Sequence, residues 1–125
     1  MSHFVTINTE IKDIEALSLA CAEMNLALLD NTEARGFGAT RRHGEHVIRL
    51  NGPFDIALTK NETGRYNLST DWWEGHVEKE VGKDFGRLLQ LYAVHKATKE
   101  ARRRGLLVQR KNRQDGSIKL MIGGI

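Results

Sequence analysis

The feature that most constrains the fold of this chain is a series of short β-type runs between residues 26 and 70. Turn-forming residues separate the later runs, with Asn51-Gly52-Pro53 in one gap and Gly64 in the next. Short β-type runs joined by tight polar turns are typical of an antiparallel meander. The predicted meander comprises His46 to Leu50, Phe54 to Leu58 and Arg65 to Thr70, and a separate strand, Leu26 to Leu29, precedes it.

Two segments with helical periodicity flank these strands. After Asp13, a good N-cap, apolar residues recur at three- and four-residue steps and predict a first helix over roughly residues 13–25. A longer helix is predicted from about Asp84 to Arg104, with Gly105 at the terminal position that favours a left-handed backbone. We expect both helices to cover the same face of the antiparallel sheet.

The two sides of the longer helix differ in composition. Residues at successive i+4 steps form a narrow stripe that predicts the side packed on the sheet: Leu89, Ala93, Ala97 and Ala101. The opposite side is expected to change from apolar through aromatic to basic, and it carries Leu88, Tyr92, His95, Lys96, Lys99 and Arg103.

Three further strands complete the predicted fold. One covers Ser2 to Ile7, and the last two, Leu106 to Arg110 and Ser117 to Ile122, are joined through the hairpin signal Asp115-Gly116. The predicted order is β-α-β-β-β-β-α-β-β in a single α+β domain over residues 1–125. An antiparallel sheet with two helices packed on one face results, which resembles an elaborated ferredoxin-like plan.

Two segments show neither the helical nor the strand periodicity. Residues 71–84 contain Trp72 and Trp73, a charged stretch and two glycines, and they are predicted to be irregular apart from a short helix. The segment Gly36-Phe37-Gly38 places a glycine on each side of an aromatic residue, which is typical of a tight bend.

No motif for catalysis, a cofactor or a metal is present in the sequence. The bend at Gly36 lacks the further glycines of a phosphate-binding loop. His76, Glu78 and Glu80 share a face only in an extended segment, and no second cluster completes a metal shell. Cys21 falls on the apolar side of the first helix, where a thiol is typical of a core. We therefore predict no catalytic residue, cofactor or metal.

The composition also predicts a protein without a membrane segment. No stretch approaches the roughly eighteen apolar residues that span a bilayer, and the amino terminus lacks a secretory signal. The single cysteine is typical of a reducing compartment. We expect a cytoplasmic protein, with the plastid stroma or a host-cell cytoplasm as alternatives.

The carboxy-terminal third of the chain is basic. Residues 1–84 hold 9 basic and 14 acidic side chains, whereas residues 85–125 hold 10 basic and 2 acidic ones. Such clusters bind polyanions through counterion release, although folding can also bring the two parts together so that their charges neutralise each other. Eight of the cations lie between residues 96 and 113: Lys96, Lys99, Arg102, Arg103, Arg104, Arg110, Lys111 and Arg113.

The leading functional hypothesis is a small non-enzymatic binding or accessory module. Its basic helix and final hairpin are predicted to contact an acidic partner, either nucleic acid or protein. Phe37 and the tryptophan pair offer stacking surfaces for unpaired bases. The expected sources of charge are Lys96, Lys99, Arg103, Arg110 and Lys111, and the residues expected to orient the partner are Tyr92 and His95.

Two other interpretations stay open at this point. A small enzyme or cofactor-dependent protein would have its site near Tyr92, His95 and the Gly36 bend, and it requires a concave pocket that joins them. A homo-oligomeric structural subunit would instead use Trp72, Trp73 and a sheet edge as its interface. The sequence alone leaves the oligomeric state undetermined.

Six short segments occur in order along nearly the whole chain: Met1-Ser2-His3-Phe4, Ala34-Arg35-Gly36-Phe37-Gly38, Phe54-Asp55-Ile56, Thr70-Asp71-Trp72, Leu89-Gln90-Leu91-Tyr92-Ala93-Val94-His95-Lys96 and Gln114-Asp115-Gly116-Ser117-Ile118-Lys119-Leu120. Together they resemble the hypothetical chloroplast reading frame thirty-five family of algal plastids, cyanobacteria, other bacteria and phages. The resemblance implies an intracellular domain of unknown function, and it assigns no mechanism.

Overall fold

The computed structural model describes residues 3–124, so Met1 and Ser2, where the first predicted strand begins, lie outside the described residues. In chain order the elements are β1 (Phe4–Asn8), α1 (Ile14–Glu23), β2 (Ala27–Arg35), β3 (Arg41–Arg49), β4 (Ile56–Lys60), β5 (Tyr66–Asp71), α2 (Glu78–Val81), α3 (Gly86–Arg103), β6 (Leu107–Asn112) and β7 (Ile118–Gly123). The predicted α+β class and element order are confirmed. The irregular segment forms the short helix α2 between two 3-10 turns.

Five of the strands form one antiparallel sheet in the order β1-β5-β4-β3-β2. It contains the predicted meander, because β3 pairs with β4 and β4 pairs with β5, and β2 extends it to one edge by pairing with β3. Strand β1 closes the other edge by pairing with β5. Strands β6 and β7 pair only with each other among the described residues, so the final hairpin is a separate two-stranded sheet.

The main hydrophobic core lies between the five-stranded sheet and helices α1 and α3. Alternate strand residues point to one face of a sheet, and here Ile48, Ile56, Leu58 and Leu68 point towards the helices and are fully buried. This side of the sheet is called the helix face, and the opposite side the open face. The predicted core position of Cys21 is confirmed, and burial raises the pKa of its thiol to about 12.

The predicted orientation of α3 is wrong. Its buried residues are Leu88, Leu91, Tyr92, Val94 and Ala101, whereas Ala93 is exposed and Leu89 and Ala97 are only half-buried. Large side chains remove more apolar surface from water than alanines do, at about 25 cal/mol per Å². The helix therefore turns its large residues inward, and most of the small-residue stripe lies at the margin of the contact.

The hairpin of β2 and β3 is longer than predicted and bends towards the open face. Strand β2 continues through the polar pair Asp30-Asn31, and Asn31 adopts a left-handed φ of 48°. At Gly44 in β3, an added Cβ would lie 2.5 Å from the His46 carbonyl oxygen and 3.1 Å from the Leu58 nitrogen. Only glycine permits so close an approach. Beyond this bend, Ala34 packs in a second small core on the open face with Val47 and Ala57.

Among the described residues, no helix combines the length and the apolar character that a membrane crossing requires.

Candidate functional site

Four of the seven predicted site residues are paired with carboxylates. Lys99 Nζ lies 2.9 Å from Asp13 Oδ2 and 3.3 Å from Glu15 Oε1, both at the start of α1. Arg103 pairs with Glu100 within α3. His95 and Arg110 share a single carboxylate, described next. Folding therefore neutralises part of the basic segment with acids from the amino-terminal two thirds of the chain.

Glu23, at the end of α1, joins three elements. Its carboxylate accepts two parallel hydrogen bonds from the Arg110 guanidinium on β6, at 2.8 and 2.6 Å, and lies 2.8 Å from His95 Nε2 on α3. Bidentate arginine pairs of this kind combine charge with a fixed geometry. The Arg110 hydrogen bonds, supported by those from His95, lower the pKa of Glu23 to about 2. Glu23, His95 and Arg110 are called the clamp, because they hold the final hairpin against both helices.

Tyr92 has a structural position rather than an exposed one. Its side chain is buried, and its hydroxyl oxygen accepts hydrogen bonds of 3.1 Å from the backbone N–H groups of Lys12 and Asp13. Asp13 itself caps α1 by accepting from the Ala16 N–H. Burial opposes ionisation of Asp13, but the hydrogen bonds from Lys99 and Ala16 hold its pKa below the usual value. Tyr92 thus helps to fix the start of α1.

Six cations between residues 96 and 119 make no ion pair with any carboxylate of residues 3–124: Lys96, Arg102, Arg104, Lys111, Arg113 and Lys119. These six residues are called the basic surface. It retains only Lys96 and Lys111 of the predicted charge donors. Arg102, Arg104 and Arg113 belong to the eight cations noted in the sequence, and Lys119, which lies opposite Lys111, could have been found from the hairpin alternation.

Two lysines of the basic surface face each other across the hairpin. Lys111 on β6 is the direct partner of Lys119 on β7, and the neighbouring pair on that side is Gln109 with Met121. The other side of the hairpin faces α3, because Arg110 reaches Glu23 and Ile118 packs on the main core. Like charges directly opposite each other destabilise a strand pair. An anionic partner would remove that repulsion.

A polar cleft of about 210 Å³ separates α3 from the turn of the hairpin. Arg87 and Gln90 line it from α3, and Arg113 and Ser117 line it from the hairpin. Gln90 Nε2 donates to the Gly116 carbonyl oxygen at 3.1 Å, which holds the turn in place. The cleft adds the cation of Arg87 next to the basic surface.

The three residues of the predicted enzymatic site lie in different surroundings. Tyr92 lines a groove of about 380 Å³ with residues 8–11 of the β1–α1 connection. His95 lines a separate cleft with Arg102 and Val108. Gly36 is at the tip of the β2–β3 hairpin, where an added Cβ would lie 3.0 Å from the ring of Phe4. The proposed convergence of Tyr92, His95 and Gly36 is therefore not formed.

His76 and Glu80, considered above as metal ligands, have other contacts. The ring of His76 packs edge-on against Phe54, with centroids 5.3 Å apart. The Glu80 carboxylate accepts from the backbone N–H groups of Asn51 and Gly52, at 2.7 and 3.0 Å. Among residues 3–124 no cluster of three or more histidine, cysteine or carboxylate side chains is arranged to hold a metal.

Asp71, which the sequence did not single out as a site residue, organises a second surface. Its carboxylate is buried and accepts from the backbone N–H groups of His3, Phe37 and Trp73, at 3.0, 3.0 and 3.1 Å. The rings of His3 and Phe37 both pack against Trp73, with centroid distances of 5.1 and 6.2 Å. Three parts of the chain meet here, and each belongs to a segment of the family resemblance or adjoins one.

Two arginines lie at the same hairpin tip, at the start of β3. Arg41 Nη1 donates to the carbonyl oxygens of Gly38 and Thr40 at the hairpin tip. The Arg42 guanidinium lies 4.6 Å from the centroid of the Phe4 ring and donates to the Ser69 hydroxyl. His3, Phe37, Trp73, Arg41 and Arg42 are together called the aromatic tip.

The other tryptophan has a different setting. Both tryptophans pack against the main core, but the Trp72 ring contacts the Phe85 ring, with centroids 4.9 Å apart, whereas Trp73 contacts the rings of His3 and Phe37. Only Trp73 of the pair therefore belongs to the aromatic tip. The hypothesis of an oligomer interface built from both tryptophans stays a prediction.

Asp55 and Arg35 secure the base of the aromatic tip. The fully buried Asp55 carboxylate accepts from the Arg35 backbone N–H, from two guanidinium nitrogens of Arg35 and from the Leu50 N–H, at 2.8 to 3.1 Å. Burial opposes ionisation, yet the hydrogen bonds from Arg35 and Leu50 hold the pKa of Asp55 below its usual value. Arg35 is therefore a structural cation.

Comparisons with known proteins place the chain in a family. A family model described as "Protein of unknown function (DUF1257)" matches residues 20–121. The chain is 32% identical over 126 residues to "Uncharacterized protein ycf35" of Pyropia yezoensis, covering 98% of this chain and 96% of that protein. No solved structure matches it. The chain therefore belongs to the Ycf35 (DUF1257) family, in agreement with the resemblance carried by its six ordered segments.

Proposed function

We propose that this protein is a non-enzymatic binding module that holds an acidic partner, in the first place nucleic acid, on its basic surface. The observation that carries the proposal is the cross-strand pair of Lys111 and Lys119, which face each other on the outer side of the hairpin with no carboxylate partner among residues 3–124. The two like charges repel each other in the free protein, and together they attract an anion.

The cations that already have carboxylate partners differ in role from those of the basic surface, and this difference supports the proposal. His95, Lys99 and Arg110 are engaged by carboxylates of the α1 segment, so they position the helices and the hairpin, and Arg103 pairs with Glu100 on its own helix. The six cations of the basic surface remain for a partner. Three of them are arginines, whose guanidinium groups match the geometry of phosphate oxygens, and the lysines act as point charges. A phosphate backbone, which repeats its charge at short intervals, fits this set.

Binding to labelled single-stranded and duplex DNA and RNA across a salt series tests the proposal. We expect affinity that falls steeply with salt, because binding releases counterions. In the Lys111→Gln/Lys119→Gln variant we expect weaker binding to every sequence and a salt slope reduced by about 1 for each lysine removed. The same variant should fold at least as stably as the unaltered protein, since removing the repulsion contributes about 0.2–1 kcal/mol.

The matched control is Lys60→Gln/Lys79→Gln, which removes two exposed lysines of β4 and α2 that lie outside the basic surface. Its affinity and salt slope should equal those of the unaltered protein. Equal binding by both double variants would contradict the assignment of the basic surface. Binding to an acidic polypeptide such as polyglutamate, with no binding to any nucleic acid at low salt, would assign the surface to a protein partner.

A further inference from the structure

The aromatic tip is held together by the buried carboxylate of Asp71. Asp71 is 0% exposed, and an isolated carboxylate in such a place is very costly unless hydrogen bonds compensate. Here the donors include the backbone N–H groups of His3, Phe37 and Trp73, from three distant parts of the chain. One carboxylate thus fixes the backbone of the three residues whose rings form the tip.

The rings of the aromatic tip leave apolar surface open to solvent. Phe37 is 42% exposed although its backbone is fixed, and it meets Trp73 edge-on at an angle of 75°. The His3 ring packs on Trp73 at an angle of 58°, so two rings flank the indole. Rigid, partly exposed aromatic rings provide the kind of platform on which a flat ring of a ligand stacks.

The charges beside the rings indicate an anionic ligand. Arg41 Nη1 donates to the Gly38 and Thr40 carbonyl oxygens, at 3.2 and 2.7 Å, which holds its guanidinium against the turn that carries Phe37. Arg42 is held over the Phe4 ring. Neither arginine forms an ion pair with a carboxylate of residues 3–124.

We propose that the aromatic tip binds an unpaired nucleobase of a single-stranded nucleic acid, with the base stacked on the exposed Phe37 ring, which Trp73 supports edge-on, and the adjoining phosphate bound by Arg41 and Arg42. A base with its phosphate combines a flat ring and a negative charge, which is the combination that this surface complements. Acidic peptides carry the charge but seldom a flat ring beside it. Duplexes hide the faces of their bases, so the tip selects single strands.

This inference rests on the proposed function, because the basic surface supplies the remaining affinity for the strand. The test compares an unmodified single-stranded oligonucleotide with one of the same length and charge whose bases are replaced by abasic sites. Binding of both, and of a duplex, is measured by fluorescence anisotropy with the full chain and its Phe37→Ala variant.

We expect Phe37→Ala to weaken binding of the unmodified strand about fivefold or more, the loss of one base stack. Binding of the abasic strand and of the duplex should stay unchanged. The matched control is Leu19→Ala, which truncates another exposed apolar side chain, 46% exposed on α1, and should leave all three affinities unchanged. Arg41→Gln/Arg42→Gln should weaken the unmodified and abasic strands alike.

Equal effects of Phe37→Ala on the unmodified and abasic strands would overturn the inference. If Lys111→Gln/Lys119→Gln still weakens binding in that case, the proposed function stands without the aromatic tip. A base-selective loss with Phe37→Ala but no effect of the lysine variant would instead retain the tip and refute the basic surface. Binding of a free mononucleotide as tight as that of the oligonucleotide would show that the ligand is a nucleotide rather than a strand, and it too would overturn the inference.

Discussion

At the scale of single residues, the buried carboxylates contribute more to the stability of this fold than the exposed charges do. Asp55 and Asp71 are both at most 1% exposed, and each collects donors from separate parts of the chain. Removing one partner of a buried pair leaves an uncompensated charge, which costs far more than losing an exposed ion pair. Both residues hold the open face and its hairpin together.

Replacing Asp55 with alanine tests this role. The change leaves Arg35 and the Leu50 N–H without their acceptor, so we expect a loss of about 3–5 kcal/mol in the free energy of unfolding, measured by urea denaturation. Asp30→Ala is the control, since Asp30 is 82% exposed and pairs only at the surface with His46. Its expected effect is within about 1 kcal/mol. Equal losses in the two variants would refute the structural role of Asp55.

At the scale of elements, the bent β2–β3 hairpin decides where the aromatic tip lies. Strand β3 pairs with β4 only from His46 to Ile48, and beyond Gly44 the hairpin extends towards Phe4 and Asp71. A straight hairpin would carry Phe37 away from Trp73. The close approach of the β3 and β4 backbones at Gly44 therefore allows the β2–β3 hairpin to lie over the open face.

Gly44→Ala should destabilise the protein by about 1–3 kcal/mol, because the new methyl group would overlap the backbone of β3 and β4. Gly86→Ala provides the comparison. Nothing lies within 4 Å of a Cβ at Gly86, and its backbone is already helical, so this change should be neutral or stabilising by up to about 1 kcal/mol. Thermal unfolding of both variants measures the difference, and an unaffected Gly44→Ala protein would contradict the proposed overlap.

At the scale of the whole molecule, the distribution of charge is settled by folding. Acids of α1 reach basic residues of α3 and β6, so the strongly basic carboxy-terminal third is only partly available to a partner. What remains is a basic surface on one part of the molecule and the aromatic tip on another. The clamp of Glu23, His95 and Arg110 connects α1, α3 and β6.

The clamp predicts an acid-dependent loss of stability. The pKa of Glu23 is lowered from 4.5 to about 2, so its contribution is complete above pH 4.5 and is lost as the pH falls towards 2. The unaltered protein should therefore lose more stability between pH 6 and about pH 3 than Glu23→Gln does. Urea midpoints of both proteins across this range measure it. Parallel curves would show that the ionised Glu23 carboxylate contributes nothing to the stability of the fold.

Much of the fold followed from local patterns. The strand runs, the helical periods, the Asp13 cap and the Asp-Gly hairpin predicted the α+β class and element order, because each depends on residues close together in the chain. Gly105 ends α3 with a left-handed φ of 77°, as predicted. The predicted orientation of α3 was wrong, because the core buries the large apolar residues of this helix in preference to its alanine stripe.

The sequence by itself determined the elements, their order, the core position of Cys21 and the segments that mark the family. Only the tertiary structure decided which cations of the carboxy-terminal third pair with carboxylates, since Lys99 and Arg110 meet acids that lie 86 and 87 positions away along the chain. The same holds for the aromatic tip, where Asp71 joins residues that are 68 and 34 positions distant. Local periodicity reports which face of an element is apolar, whereas pairing between distant charges depends on how the elements pack, and that information lies in no single segment.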